Sequence, residues 1–341
     1  MRQLIVLAAL AVLASPPTPS APVPPKMRGV SWEAGRKIDG TSLDPLKGIG
    51  ADWISQTPFG WAPSVSAPEV GFSGGAVHLF WGMWGETDEG LAETARLARA
   101  RGIRTLLKPH IWIHTGEWVG GIDMKSEEDW HRWFAAYQAF ILHYAELAER
   151  ERMEGLAIGT ELPKASRRTD DWKRLIARIR QVYRGPITYC ANWHEAEDVG
   201  FWEDLDFIGV QAYYPLTPSE HPKLEEIRAA WVPIVARLAA LSKRTGRRVV
   251  FTEVGYRSLM GCLAEPWKWD TAGTVDLDVQ RDAYQAMFAS VWDQPWFGGT
   301  FVWKWHPRLG AAGPAIGRAL RDFTPQGKPA LAAIRERYLR P

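Results

Sequence analysis

Cysteine is nearly absent from this chain. Its 341 residues hold two, Cys190 and Cys262. Two thiols cannot build a disulfide framework, so an apolar core must carry the fold. The expectation is two independent buried thiols, with a bridge between them as the alternative. Surplus charge is missing too: 41 basic residues against 39 acidic leave a net charge of +2. That gives no electrostatic basis for binding nucleic acid or an anionic membrane. No Gly-rich phosphate loop follows any apolar run, which removes the nucleotide-binding reading of an α/β chain. No His-x-His pair stands on an early apolar run. His110 and His114 are four apart, but on a stretch that reads as strand rather than helix, so neither a metal nor a cofactor is expected.

No apolar run is long enough to anchor the chain in a bilayer either. The N-terminus does carry a shorter one. Residues 1–15 show Arg2, an apolar run from Leu4 to Leu13, and small residues at Ala14 and Ser15. This is the layout of a secretory signal peptide, with a disordered apolar tail as the alternative. Residues 16–26 are rich in Pro, Ser and Ala and read as an extended linker. Residues 27–341 are left as one domain, expected to be monomeric and to work outside the cytoplasm, secreted or periplasmic.

What the chain has is apolar and aromatic mass. Hydrophobic residues make up 46%, and 19 are Trp. Most of these rings are expected to pack the core or its rim. The remainder are flat faces of the kind that stack on sugar rings. Short apolar runs recur at 29–32, 51–57, 104–113, 155–160, 186–191, 205–211, 248–252 and 297–303. Helical periodicity fills most gaps between them, with Ser126 as a predicted cap and Pro233 inside the helix at 224–245. Eight strands alternating with helices outline a single α/β domain, a (β/α)8 TIM barrel.

In such a barrel, groups at the C-terminal strand ends share one mouth. Those positions bring His110 and Trp112, Glu161, then Asn192, Trp193 and His194, then Gln211, Tyr213 and Tyr214, then Glu253, and last Trp303, Lys304 and His306. Glu161 and Glu253 end apolar strands, where an unpaired charge is costly and rarely serves packing. Two carboxylates among aromatics and amides suit glycoside hydrolysis, one giving a proton to the leaving oxygen and the other remaining ionised. Glu195 reads instead as a first-turn charge, and Glu86 and Glu117 as solvated loop residues. His110 reads as a hydrogen-bonding group of the sugar site.

The segments Ile158-Gly159-Thr160-Glu161-Leu162 and Phe251-Thr252-Glu253-Val254-Gly255-Tyr256 resemble the acid/base and nucleophile motifs of a clan of retaining barrel glycosidases. They lie 92 residues apart, room for three βα units. Lys108-Pro109-His110, DFIGVQAYY at 206–214 and Phe301-Val302-Trp303 make the chain most similar to glycoside hydrolase family 113, known for β-1,4-mannanases. The resemblance implies Glu161 as acid/base and Glu253 as nucleophile, with their oxygens about 5 Å apart. It also implies that Tyr213 donates to Glu253, that Trp303 floors the subsite of the cleaved sugar, and that the pKa of Glu161 is raised. Trp32, Trp61, Trp84, Trp112 and Trp193 are candidate sugar platforms. Many clan members carry Asn directly before the acid/base, where it binds the sugar 2-hydroxyl. Thr160 stands there in this chain, so that contact falls to Thr160 or to Asn192. The expected partner is a β-linked polysaccharide or oligosaccharide. A β-glucanase, an exo-acting β-mannosidase or β-glucosidase, and a non-catalytic sugar-binding barrel are the alternatives.

Overall fold

The computed structural model describes residues 25–72, 83–269, 272–309 and 313–340. The expected signal segment, 1–15, and most of the linker, 16–26, lie outside them. Ten strands occur among the described residues: β1 (Met27–Trp32), β2 (Trp53–Gln56), β3 (Phe59–Ala62), β4 (Arg104–Leu107), β5 (His110–Ile113), β6 (Gly155–Thr160), β7 (Ile187–Asn192), β8 (Ile208–Gln211), β9 (Val249–Val254) and β10 (Phe297–Trp305). Eight are parallel and close on themselves in the order β1, β10, β9, β8, β7, β6, β4, β2. The helices are α1 (Asp44–Gly48), α2 (Asp88–Arg99), α3 (Glu127–Arg150), α4 (Thr169–Val182), α5 (Leu224–Thr245), α6 (Leu277–Val291) and α7 (Pro329–Leu339). The architecture is the expected (β/α)8 barrel. Between β7 and β8 a 3-10 turn, Trp202–Asp204, replaces the α-helix.

Local chemistry accounts for these elements. Ser126 accepts from the Asp129 N–H at 3.1 Å and caps α3, whose first turn carries three acids at the positive end of the helix dipole. The same helix buries Trp130, Trp133, Phe134, Tyr137 and Phe140 against the barrel. Trp133 stacks on Tyr137 at 4.8 Å. Gly246 ends α5 at φ +68, and the helix continues through Pro233. Trp53, Leu106, Phe207, Val250 and Phe301 form a separate apolar cluster contributed by strands all round the barrel. Gly29 is needed there, because a Cβ on it would sit 2.4 Å from the Phe301 ring. Each side chain of that size contributes roughly 1.5–3 kcal/mol by leaving water. Both cysteines are free thiols, Cys190 buried in β7 and Cys262 half-buried after β9.

Two features differ from the sequence reading, and both shape the mouth. The run 104–113 is two strands, not one. Pro58 and Pro109 have no N–H to give the barrel ladder, so pairing stops at Gln56 and Leu107. The two chains resume beyond the prolines as β3 and β5, a separate parallel pair with Trp61 beside Trp112. The second feature is register. β6 holds one residue more than β7 between the pairs Ala157–Thr188 and Thr160–Cys190. β9 holds one more than β8 between Val210–Phe251 and Gln211–Glu253, and slips equally against β10. An extra residue of this kind breaks the in–out alternation and re-aims the next side chain. Glu253 therefore lies inside β9 rather than beyond it, next to the inward-facing Thr252.

Candidate active site

Glu253 is set in fixed positive charge. Its Oε1 accepts from the Lys108 ammonium and its Oε2 from the Tyr213 hydroxyl at 2.8 Å. Lys108 is fully buried, and the Glu253 side chain keeps 9% of its exposure. The lysine sits at the Pro109 break, where the chain leaves the barrel wall. Its ammonium also lies 5.7 Å from the centroid of the Trp303 ring, within cation–π reach. A buried ion pair holds only when the remaining polar atoms are satisfied. Tyr213 meets that condition on the far oxygen.

Glu161 follows β6 with φ +53, the left-handed region that side chains other than Gly seldom adopt. Three side chains face its carboxyl. Asn192 Nδ2 donates to Oε1 at 3.1 Å, and Trp118 Nε1 donates to Oε2 at 3.1 Å. His110 Nε2 lies 3.9 Å from Oε2. The Ile111 N–H donates to His110 Nδ1 at 2.8 Å and orients the ring. His194 Nδ1, 2.6 Å from Asn192 Oδ1, turns the amide so that its NH2 group faces Glu161. Burial alone pushes the Glu161 carboxyl up. The contacts from His110 and Trp118, with the nearby Lys108 charge, outweigh it and hold the group below the usual carboxylate range. The sequence reading had this carboxyl raised. It did not count three donors converging on one oxygen pair.

The structure gathers Glu161, Glu253, His110, Asn192, Tyr213 and Trp303 at one mouth. Thr160 is buried and donates to the Pro109 carbonyl at 3.2 Å, so Asn192 is the amide that meets Glu161. Gln211 is buried as well, with its Oε1 taken by Thr252 at 3.0 Å. Trp32 lies in the main core at 6% exposure. Trp61 covers Gly71, where a Cβ would stand 2.4 Å from the ring. Trp84 is half-buried, with the Lys37 ammonium 5.5 Å from its ring. Trp112, on β5, is 52% exposed. Trp193 stacks with Trp267 at 5.9 Å, and His194 bridges Trp193 to Trp118 at 5.3 and 6.0 Å. These rings form an aromatic path leading away from Glu161.

Three residues gained importance that the sequence reading did not give them. Lys108 belongs to the Lys108-Pro109-His110 segment, inside the run expected as one strand over 104–113. Trp118 sits in a loop whose sequence carries no such mark. Glu195 is not a first-turn charge: it lies in a turn, is 3% exposed, and burial pushes its carboxyl up to about 8. Glu86 also differs, being half-buried with its carboxyl raised by burial to about 7. Glu117 is exposed, as read.

Comparison with known proteins follows the same lines. The model of Glycoside Hydrolase Family 113 matches residues 31–328. Among similar solved structures is the GH113 β-mannanase AaManA from Alicyclobacillus acidocaldarius in complex with ManMIm. It shares 28% identity over 92% of this chain and 97% of that one, with a TM-score of 0.79. A GH113 β-1,4-mannanase solved as a complex shares 26% identity over 92% and 99%, with a TM-score of 0.77. A β-glucuronidase from Ruminococcus gnavus, at 13% identity and a TM-score of 0.60, shares the fold alone and is covered over 50% of its length. No curated protein sequence matches the chain.

Proposed function

Because the chain belongs to glycoside hydrolase family 113 and is a glycoside hydrolase, we propose that it cleaves β-1,4-linked mannan by double displacement. Glu253 is the nucleophile and Glu161 the acid/base. The observation that carries the reading is the unequal setting of the two carboxylates. Glu253 is paired with the buried Lys108 ammonium. Glu161 is held by neutral donors at the open side of the mouth and can exchange a proton.

In the first step a Glu253 oxygen attacks the anomeric carbon, and the glycosidic bond breaks. Protonated Glu161 delivers its proton to the departing oxygen. A covalent glycosyl ester on Glu253 remains, and the leaving sugar chain departs with the proton. In the second step ionised Glu161 takes a proton from water, whose oxygen attacks the same carbon and frees Glu253. A sugar chain in the mouth excludes water from Glu161, which adds to the upward pull of burial and favours the acid form. Trp303, beside Lys108, floors the subsite of the cleaved sugar. Asn192 is the group placed to meet the sugar 2-hydroxyl. Mannan is favoured by GH113 β-mannanases, among them the two described above, that match above 25% identity over nearly their whole length.

Reducing-end release should be largest on mannan among mannan, glucomannan, barley glucan and xylan. Proton NMR should show the β anomer as the first product. Glu253→Ala should be inactive, with azide restoring turnover as an α-glycosyl azide. An α anomer as first product, or full activity in Glu253→Ala, would overturn the mechanism. A barley-glucan preference would overturn the substrate. Residues 1–15 are read as an export signal, supported by their charge and apolar pattern. Recovery of an exported protein that still carries them would sink that reading.

A further inference from the structure

The left-handed turn at Glu161 is held from behind as well as from the mouth. The Leu162 N–H, in the peptide that follows Glu161, donates to the Tyr189 hydroxyl at 2.8 Å. That hydroxyl donates in turn to Glu195 Oε1 at 2.6 Å. Tyr189 is fully buried, its ring 5.3 Å from Trp172 and 5.6 Å from Phe201. It runs close under Gly159, where a Cβ would stand 2.9 Å from it. Among the described residues the Glu195 side chain makes no ion pair, and its Oε2 is buried without a hydrogen-bond partner. An unpaired buried carboxyl is costly to fold around. Its one polar side-chain contact among the described residues is the tyrosine behind Glu161.

We propose that Tyr189 and Glu195 are a positioning pair for the acid/base, fixing the Glu161–Leu162 peptide so that the Glu161 carboxyl stays aimed at the glycosidic oxygen. This rests on the reading of Glu161 as the acid/base. A non-glycine residue at φ +53 is strained and relaxes unless its surroundings over-determine it. The Leu162 hydrogen bond supplies that constraint. Glu195 supplies the other half. By accepting the tyrosine proton on Oε1, it points the hydroxyl's lone pairs at Leu162. The Glu195 N–H also donates to the Asn192 carbonyl at 3.0 Å, which links the rear support to the amide in front of Glu161. A glutamine keeps the oxygen that accepts from Tyr189, so it should replace Glu195 well.

The test compares two leaving groups. A mannooligosaccharide needs a proton to depart, whereas 2,4-dinitrophenolate does not, and kcat/KM reports this bond-breaking step for both. Tyr189→Phe and Glu195→Leu should lower kcat/KM on the oligosaccharide roughly 10- to 100-fold, and on the dinitrophenyl β-mannoside by less than about threefold. Glu195→Gln should stay within about threefold of the parent on both substrates. Equal losses on the two substrates, or no loss, would overturn the positioning role, since a general packing defect does not distinguish leaving groups. Glu161→Gln is the reference arm. If it too loses both substrates equally, the acid/base assignment fails; if it alone shows the split, the positioning pair fails. Should Tyr189→Phe melt below the assay temperature, the contrast between Glu195→Leu and Glu195→Gln decides.

Discussion

Glu161 and Glu253 stand on strands of one barrel with two others between them, and the protein holds them by opposite means. Glu253 lies within β9, where its carbonyl accepts from the Ala212 N–H at 2.7 Å, and its side chain is matched by a buried cation. Glu161 lies one residue past β6 on a left-handed turn, faced by an indole, an amide and an imidazole. Both follow a one-residue slip in their own strand. The backbone device is shared, and the electrostatics are not. Glu253 is bonded directly to a full charge, whereas the indole and amide bonded to Glu161 are dipoles and the Lys108 charge reaches that carboxyl only from further off. One barrel thus supplies two chemical characters from the same residue type.

Removing the Glu253 side should cost most. Glu253→Ala should lower kcat roughly 10⁴-fold or more, read as mannooligosaccharide hydrolysis without azide. Lys108→Met comes next. It strands a buried carboxylate, so unfolding in urea should show a loss of about 3–5 kcal/mol, together with a large loss of kcat. A stable, active Lys108→Met protein would erase the contrast between the two sites. Tyr213→Phe removes one hydrogen bond to the charged group and should cost roughly 10- to 100-fold in kcat.

On the Glu161 side the effects should be shifts rather than losses. Trp118→Phe takes away one donor that holds the Glu161 carboxyl down. The carboxyl then rises, and the alkaline limb of the kcat/KM profile should move to higher pH. An unmoved limb would show that Trp118 does not tune the acid. The smallest effect is expected away from both glutamates. His306 sits between Glu33 and Asp322, and Lys304 donates to Glu33 at 2.8 Å. Burial pulls the His306 ring down, but its two carboxylate partners more than reverse this and raise it. Burial pushes Asp322 up, but His306 and Lys304 bring it to about 2. The histidine's contribution to stability is therefore full below about 6.5 and fades as pH rises through its raised value. That of the aspartate is full above about 4 and fades as pH falls toward 2. The melting-temperature gap between parent and His306→Gln should be widest near pH 5 and narrow by pH 8, with little change in kcat.

Most of the barrel could be read in the sequence because its strands are short apolar runs bounded by Pro and Gly, a pattern that composition exposes. The glutamate pair could be read because each carboxylate closes such a run. The register slips at 157–160 and 251–253 could not, since one extra residue in a buried strand leaves the apolar pattern unchanged. The split of 104–113 was signalled by Pro109 but masked by the apolar residues on both sides of it. Lys108 carries no such mark, because it falls inside the 104–113 run rather than at its end. Trp118 and Glu195 reach their partners only through tertiary folding, 43 and 6 residues along the chain from them. Neither separation is a helical or strand period.

The short pair β3 and β5 makes the rim of the barrel uneven. Four further residues on each of two neighbouring strands, at about 3.3 Å per residue, build a parapet roughly 13 Å tall on one side of the opening. Trp112 stands out on it. The wall beyond β7 is thinner, because a single turn replaces a helix there. Trimming this parapet offers a way to change the length of chain admitted while leaving both glutamates in place.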